Sequence, residues 1–143
     1  MKKILTLAFA FCLAAAAMAQ NATIDELRKL VETNCVTADY SFLMQEKISC
    51  SGTITVQQPC FKVVGNGLEI YCDGKSRWTV DREAKEVYIE YSESPEEYMA
   101  YLPDVSDLKV TVVKTSPLSD DLKPFFFDVS RLDSSWVITD LRM

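Results

Sequence analysis

The sequence predicts an α+β protein. We expect a curved antiparallel β-sheet, an incomplete barrel, with an N-terminal helix and a short second helix covering its concave face. In residues 52–91, short runs of alternating apolar and polar residues are separated by compact turns. Residues 22–34 and 92–102 each carry apolar residues at helical spacing. The chain has no internal repeat and no linker, which predicts a single domain.

Residues 1–19 are predicted to be a signal peptide. Lys2 and Lys3 precede an apolar run over residues 4–17, and Ala17-Met18-Ala19 is a small-residue cleavage site. A membrane-spanning helix is the alternative, but a span needs about 20 apolar residues. We therefore expect an exported chain whose single domain covers residues 20–143.

The first predicted helix, residues 22–34, begins with a capping box, because Glu26 follows Thr23 by three residues. Alternation with a period of two then predicts a half-buried strand over residues 38–49. Ser51-Gly52 is interpreted as a turn into a strand over residues 53–57. The inward side of these two strands is predicted to carry Tyr40, Phe42, Met44, Ile48, Ile54 and Val56.

Two tight turns set the expected register of the central strands. Gly65-Asn66-Gly67 favours a hairpin, because these residues tolerate positive φ, and folding about Asn66 places Cys60 opposite Cys72. A three-residue loop over 73–75 then places Ile70 opposite Trp78. Directly opposed residues share a sheet face. The sequence thus predicts a one-sided sheet whose apolar face carries Val64, Leu68, Ile70, Trp78, Val80 and both cysteines.

The second predicted helix, residues 92–102, begins at Ser94-Pro95-Glu96-Glu97. This run combines an N-cap, a proline at the first helical position and acids at the positive end of the helix dipole. Its apolar side carries Tyr98, Met99, Tyr101 and Leu102. Strands are expected again over residues 108–114, 124–132 and 136–141, and the three phenylalanines at 125–127 suggest burial on both faces.

The mature chain retains four cysteines: Cys35, Cys50, Cys60 and Cys72. An even number in an exported chain indicates disulfides, for which three pairings are possible. The expected hairpin register favours Cys60–Cys72, which leaves Cys35–Cys50 by default. Four buried thiols are the alternative.

The composition argues against catalysis and against two classes of partner. The chain has no histidine, which excludes Ser-His-Asp and Cys-His sites, and Glu46 is the clearest acid at an inward strand position. Neither a CxxC motif nor a phosphate-binding loop is present, so no metal or cofactor is expected. The net charge is −6, and removing Lys2 and Lys3 gives −6 − 2 = −8. Because phosphate backbones and anionic lipids attract clustered basic residues, we expect no nucleic-acid partner and no adhesion to anionic membranes.

Several short motifs follow one another along the chain. Phe42-Leu43-Met44-Gln45 is a Phe-x-x-Gln step, residues 52–59 run from a glycine to a proline, and the aromatic-basic run Cys60-Phe61-Lys62 comes next. The segment 73–81, DGKSRWTVD, is followed by Lys85-Glu86-Val87. In this order the motifs resemble those of the outer-membrane lipoprotein carrier family of LolA-like and LolB-like proteins, and the segment 73–81 is the most specific match. The resemblance covers about residues 24–103.

The resemblance implies a soluble periplasmic carrier that holds a lipid, or the acyl chains of a lipoprotein, between the sheet and the helices. It also implies membrane-associated transfer partners. The residues predicted to line the cavity are Phe42, Met44, Ile54, Val56, Ile70, Trp78 and Val80, with Tyr98, Met99 and Leu102 as a lid.

An alternative remains open, because a filled core needs the same inward residues as a hollow cavity. The chain could be a secreted, disulfide-stabilised β module with a solid core. Such a module would bind protein or glycan partners through Tyr71, Tyr88 and Arg77.

Overall fold

The computed structural model describes residues 20–45 and 47–143, so the predicted signal peptide and Glu46 lie outside the described residues. An open, mixed sheet of nine strands forms the centre of this part of the chain, together with a single α-helix. The expected α+β class is therefore confirmed.

The helix α1 spans Ile24–Thr33. The strands are β1 Gln20–Ala22, β2 Asn34–Met44, β3 Ile48–Gln57, β4 Cys60–Gly65, β5 Leu68–Cys72, β6 Ser76–Asp81, β7 Glu86–Tyr91, β8 Lys109–Pro117 and β9 Val137–Asp140. Short 3-10 helices lie at Glu97–Tyr101, Lys123–Phe125 and Val129–Arg131.

The strands lie side by side in the order β1-β8-β2-β3-β4-β5-β6-β7-β9. Neighbouring strands are antiparallel except for β7 and β9, which are parallel. Two long connections join distant strands of the sheet. The first crossover, residues 92–108, leads from β7 to β8, and the second crossover, residues 118–136, leads from β8 to β9.

Helix α1 begins where its capping sequence predicts. The Thr23 side chain accepts a hydrogen bond from the backbone N–H of Glu26 at 3.2 Å, which satisfies one of the free donors at the helix start. Leu27 and Val31 are fully buried one turn apart, so the apolar stripe of the helix faces the sheet.

The sheet is apolar on both faces, and each face has its own core. We call the face under α1 the helix face; its core includes Ile54, Val63, Ile70 and Cys72, with Tyr98 and Leu102 of the first crossover. The opposite face has a smaller core beneath the second crossover, made of Tyr71, Trp78, Val80, Val87, Ile89 and Phe127. The expectation of a one-sided sheet is therefore wrong, because residues 118–136 cover what was expected to be the wetter face.

The first hairpin is shifted by one residue from the predicted register. Asn66 and Gly67 both have positive φ and form a two-residue turn, so Gly65 pairs with Leu68 and Phe61 pairs with Cys72. Cys60 is therefore not opposite Cys72, and the predicted pairing is wrong. Val64, expected on the same face as Ile70, lies on the opposite face, since a shift of one residue reverses the face of each side chain.

The second hairpin is also shifted by one residue from its predicted register, since Cys72 pairs with Arg77 and not with Ser76. Within the turn, the backbone N–H of Asp73 donates to the carbonyl of Ser76 at 3.2 Å, and the Asp73 carboxylate accepts hydrogen bonds from the backbone N–H groups of Lys75 and Ser76, each at 2.9 Å. Tyr71 therefore pairs with Trp78, and Ile70 pairs with Thr79. Trp78 and Val80 consequently belong to the core on the opposite face, away from Ile70.

Three further segments differ from their predicted structure. The chain reverses between Met44 and Ile48, not at Ser51-Gly52, and β3 continues through Gly52. The predicted second helix is a five-residue 3-10 helix, Glu97–Tyr101. Residues 124–132 form 3-10 turns in place of a strand, with Phe125 and Phe127 buried and Phe126 half-exposed.

The four cysteines among the described residues carry free thiols, so the predicted disulfides are not present. Cys50 pairs with Phe42, which lies seven residues from Cys35 on β2. That separation is roughly 23 Å at the 3.3 Å rise of a strand, far beyond the reach of a disulfide. Burial, together with the nearby Cys72 and Asp73, raises the pKa of the Cys60 thiol to about 11.

Candidate apolar binding site

A pocket of about 370 Å³ opens at one end of the helix face. The end of β2 forms one wall of the pocket, and the part of the first crossover from Ala100 to Val105 forms the other wall. The turn at Asn66 borders the pocket. The lining residues are Tyr40, Phe42, Leu43, Met44, Gln45, Asn66, Ala100, Tyr101, Pro103 and Val105. None of these carries a charged side chain, so the pocket suits an uncharged, largely apolar ligand.

The register of the strands explains why the pocket lies at this end. In the middle of the helix face, Ala38, Ile54, Val63 and Ile70 form a row across four strands, and all of them are buried. The next row contains Tyr40, Gly52, Gly65 and Leu68, so two of its four positions have no side chain. The core is therefore filled up to Tyr40, and the pocket begins there.

The first crossover is held against the sheet at both ends. At its start, the Glu97 carboxylate pairs with the Arg77 guanidinium and accepts a hydrogen bond from the Ser92 hydroxyl at 2.9 Å. At its other end, the Asp107 carboxylate accepts a hydrogen bond from the backbone N–H of Leu43 at 2.6 Å. These contacts fix the wall that Tyr101, Pro103 and Val105 contribute.

The two tyrosines in the lining stay neutral. Burial, and to a smaller extent Cys50, raises the pKa of Tyr40 above its ordinary value. Burial is also the largest cause of the raised pKa of Tyr101; Arg77 opposes the shift and Glu97 adds to it. The pocket lining therefore has no ionisable group among the described residues that titrates near neutral pH.

Several apolar side chains at this end of the sheet are exposed to solvent. Leu43, Met44 and Val105 are each more than a third exposed, and Ile48, which pairs with Met44 across the β2–β3 turn, is exposed as well. An apolar ligand would contact these side chains as it enters.

The structure separates the predicted cavity residues into three groups. Phe42 and Met44 line the pocket. The residues that instead fill or pack against the helix-face core are Ile54, Val56, Ile70, Tyr98, Met99 and Leu102. Trp78 and Val80 lie in the other core, so they cannot share a cavity with Phe42.

Sequence reasoning missed most of the lining, including Tyr40, Leu43, Tyr101 and Val105. Tyr40 and Tyr101 were recognised as apolar positions but not assigned to the cavity. Leu43 interrupts the alternation of its strand, and this irregularity was the available signal that the strand ends near a turn. Nothing in the local pattern marks Pro103 or Val105, because only the path of the first crossover brings them to β2.

The described residues contain no group of three or more His, Cys, Asp or Glu side chains placed to hold a metal ion. In the same part of the chain, no helix has the length and hydrophobicity needed to cross a membrane.

Comparison with known proteins does not place the chain in a family. No family model matches the sequence, and a search of curated proteins also finds no match.

Proposed function

We propose that this protein binds the acyl chain of a lipid or of an acylated protein in the pocket between β2 and the first crossover. The supporting observation is the pocket itself, about 370 Å³ in volume and lined by aromatic and aliphatic side chains; among the described residues its polar groups are Gln45, Asn66 and the tyrosine hydroxyls. Sites for small apolar ligands have this composition and typically about 300–1,000 Å³ of volume.

The proposed site is smaller than the cavity expected from the sequence. The side chains of Ile54, Val56, Ile70, Tyr98 and Leu102 fill the middle of the helix face, and the pocket lies beyond Tyr40 at its end. We therefore assign it a single chain, inserted from the end where Leu43 and Met44 are exposed.

The resemblance to lipoprotein carriers supplies the biological setting of the proposal. A signal peptide at residues 1–19 would deliver the protein to the periplasm, where the curved, incomplete barrel of a carrier would take acyl chains from lipoproteins or membrane-associated partners. The composition described above, without histidine or a nucleotide-binding motif, fits a carrier better than an enzyme.

Co-purification gives the first test. The protein is purified from its exported fraction without detergent, extracted with organic solvent, and the extract is analysed by mass spectrometry. We expect a lipid or acylated species in stoichiometric amount, or, for ligand-free protein, saturable binding of a fluorescent fatty-acid analogue. A protein with neither property would overturn the proposal.

A pair of matched variants locates the site. Met44 is 48% exposed in the pocket lining, and Val64 is 43% exposed on the other face of the sheet. Met44→Glu introduces a charge into the pocket without removing a core side chain, and Val64→Glu is the control. We expect Met44→Glu alone to lose binding, because a bound acyl chain would bury the new carboxylate without a partner, which is costly. Equal loss in both variants would contradict this site.

The alternative, a module that binds partners through its surface, has no specific support. Tyr71 is buried, and Arg77 lies on the helix face in ion pairs with Glu90 and Glu97, so only Tyr88 of the predicted contact set is exposed.

A further inference from the structure

Tyr40 lies at the boundary between the filled core and the open pocket. On its inner side, the neighbouring row of the helix face contains Ala38 and Ile54, which are fully buried. On its outer side, Phe42 lines the pocket, and the two aromatic rings lie nearly parallel with their centroids 6.3 Å apart. Only 5% of Tyr40 is exposed, although it belongs to the pocket lining.

The ring of Tyr40 rests on a pair of glycines. Gly52 pairs with Tyr40 on one side and with Gly65 on the other. A Cβ atom placed on Gly52 would come within 2.6 Å of the Tyr40 hydroxyl oxygen, and one placed on Gly65 within 2.7 Å. Only residues without a side chain therefore leave room for the phenol end of Tyr40.

The glycine pair also determines what happens if the ring is removed. Neither Gly52 nor Gly65 has a side chain that could rotate into the space, and the next residue in the row is Leu68, beyond both glycines. The vacated space would therefore remain open over the two glycines, continuous with the pocket.

We propose that Tyr40 is the specificity-determining residue that limits the length of the chain the pocket accepts. This inference rests on the proposed function. An apolar chain entering past Met44 and Phe42 ends against the Tyr40 ring, which cannot retreat because the backbones of Gly52 and Gly65 lie behind it. Each methylene group buried before that point raises affinity about fourfold, and methylene groups beyond it add nothing.

The test measures affinity as a function of chain length. Saturated lysophosphatidylcholines of increasing acyl length compete with the fluorescent probe N-phenyl-1-naphthylamine for wild-type protein and for Tyr40→Ala, Tyr40→Leu and Tyr40→Phe. The leucine variant keeps an apolar side chain for the case in which the alanine variant does not fold. Tyr71→Ala is the matched control, since Tyr71 is a buried tyrosine in the core on the opposite face.

For the wild type, we expect affinity to rise about fourfold per methylene group up to one chain length and then to level off. The plateau should move to longer chains in Tyr40→Ala and Tyr40→Leu, but stay in place in Tyr40→Phe and Tyr71→Ala. If wild-type protein binds the lipids but the plateau is the same in all variants, the role of Tyr40 is wrong and the proposed function stands. If wild-type protein binds neither probe nor lipid, both proposals are overturned.

Discussion

Arg77 on β6 and Glu97 in the first crossover form an ion pair on the helix face, with only 18% and 7% of their side chains exposed. Arg77 also pairs with Glu90 on the neighbouring strand at 2.7 Å. The crossover that forms one wall of the pocket is therefore attached to the sheet by a largely buried charge network.

Removing the cation from this network should destabilise the protein more than removing the anion. Arg77→Met leaves the Glu97 carboxylate buried without a cation, a situation that typically costs about 3–5 kcal/mol. Glu97→Met leaves Arg77 paired with Glu90, so a smaller loss is expected. Urea unfolding of both variants and of the double variant measures the difference, and the double variant should lose less than the sum. Purely additive losses would contradict the coupling of Arg77 with Glu97.

A second charge pair on the opposite face predicts a dependence of stability on pH. The hydrogen bond from Arg82 is the largest cause of the lowered pKa of Glu69; burial opposes the shift and the Tyr71 hydroxyl adds to it. Because the folded-state pKa lies below the ordinary value of 4.5, this stabilisation is complete above that pH and is lost as the pH falls through the folded-state value.

The comparison of wild type with Glu69→Gln isolates this contribution. The urea midpoint of the wild type should fall more steeply below about pH 4.5 than that of the variant, because the variant has no carboxylate to protonate at this position. If the urea midpoints of the two proteins fall in parallel with pH, the contact between Glu69 and Arg82 does not contribute to stability.

Tyr98 is fully buried, and its hydroxyl has no hydrogen-bond partner among the described residues. Tyr98→Phe should therefore leave stability unchanged or raise it by about 1 kcal/mol, because an unsatisfied buried hydroxyl is costly. Tyr71→Phe is the matched control, since it removes a 2.7 Å hydrogen bond to Glu69 and should lose about 1 kcal/mol. A clear loss of stability in Tyr98→Phe would show that its hydroxyl has a partner.

A substitution at Trp78 tests whether the cores on the two faces of the sheet are independent. Its ring packs edge-on against Phe126 with centroids 5.0 Å apart, and only 4% of the residue is exposed. Trp78→Ala should cost about 3–5 kcal/mol of unfolding free energy, as expected for a filled core. When equal amounts of folded variant and folded wild type are compared, binding of a lipid probe should be the same, because the pocket lies on the other face. Loss of binding by folded Trp78→Ala would mean that the two faces are not independent.

Local signals in the sequence predicted local structure well. The Thr23 cap, the stripe of Leu27 and Val31 and the position of the Asn66 turn all follow from rules that involve only a few neighbouring residues. The same rules did not determine the register. Gly65-Asn66-Gly67 is compatible with a two-residue and a three-residue loop, and the choice decides which face Val64 occupies relative to Ile70.

The missed turn between β2 and β3 has a similar explanation. Met44 pairs with Ile48 across the turn, so both side chains lie on the same face and the apolar residues on the two sides of the turn keep the same period-two phase. The turn also contains no glycine, proline, asparagine or aspartate, and Gln45 adopts a positive φ that its residue type does not predict. The pocket could not be predicted from sequence because its walls, near Met44 and Val105, are brought together by the first crossover alone.

The central claim is that an apolar chain binds between the end of β2 and the first crossover. Methyl NMR of residues 20–143 titrated with a lysophosphatidylcholine, with intermolecular NOEs to its acyl chain, tests this most directly. We predict shifts and NOEs at the methyl groups of Leu43, Met44 and Val105, with Val80 and Val87 in the opposite core unaffected. NOEs at Val80 and Val87, or saturable binding without any contact to Met44 and Val105, would contradict the account.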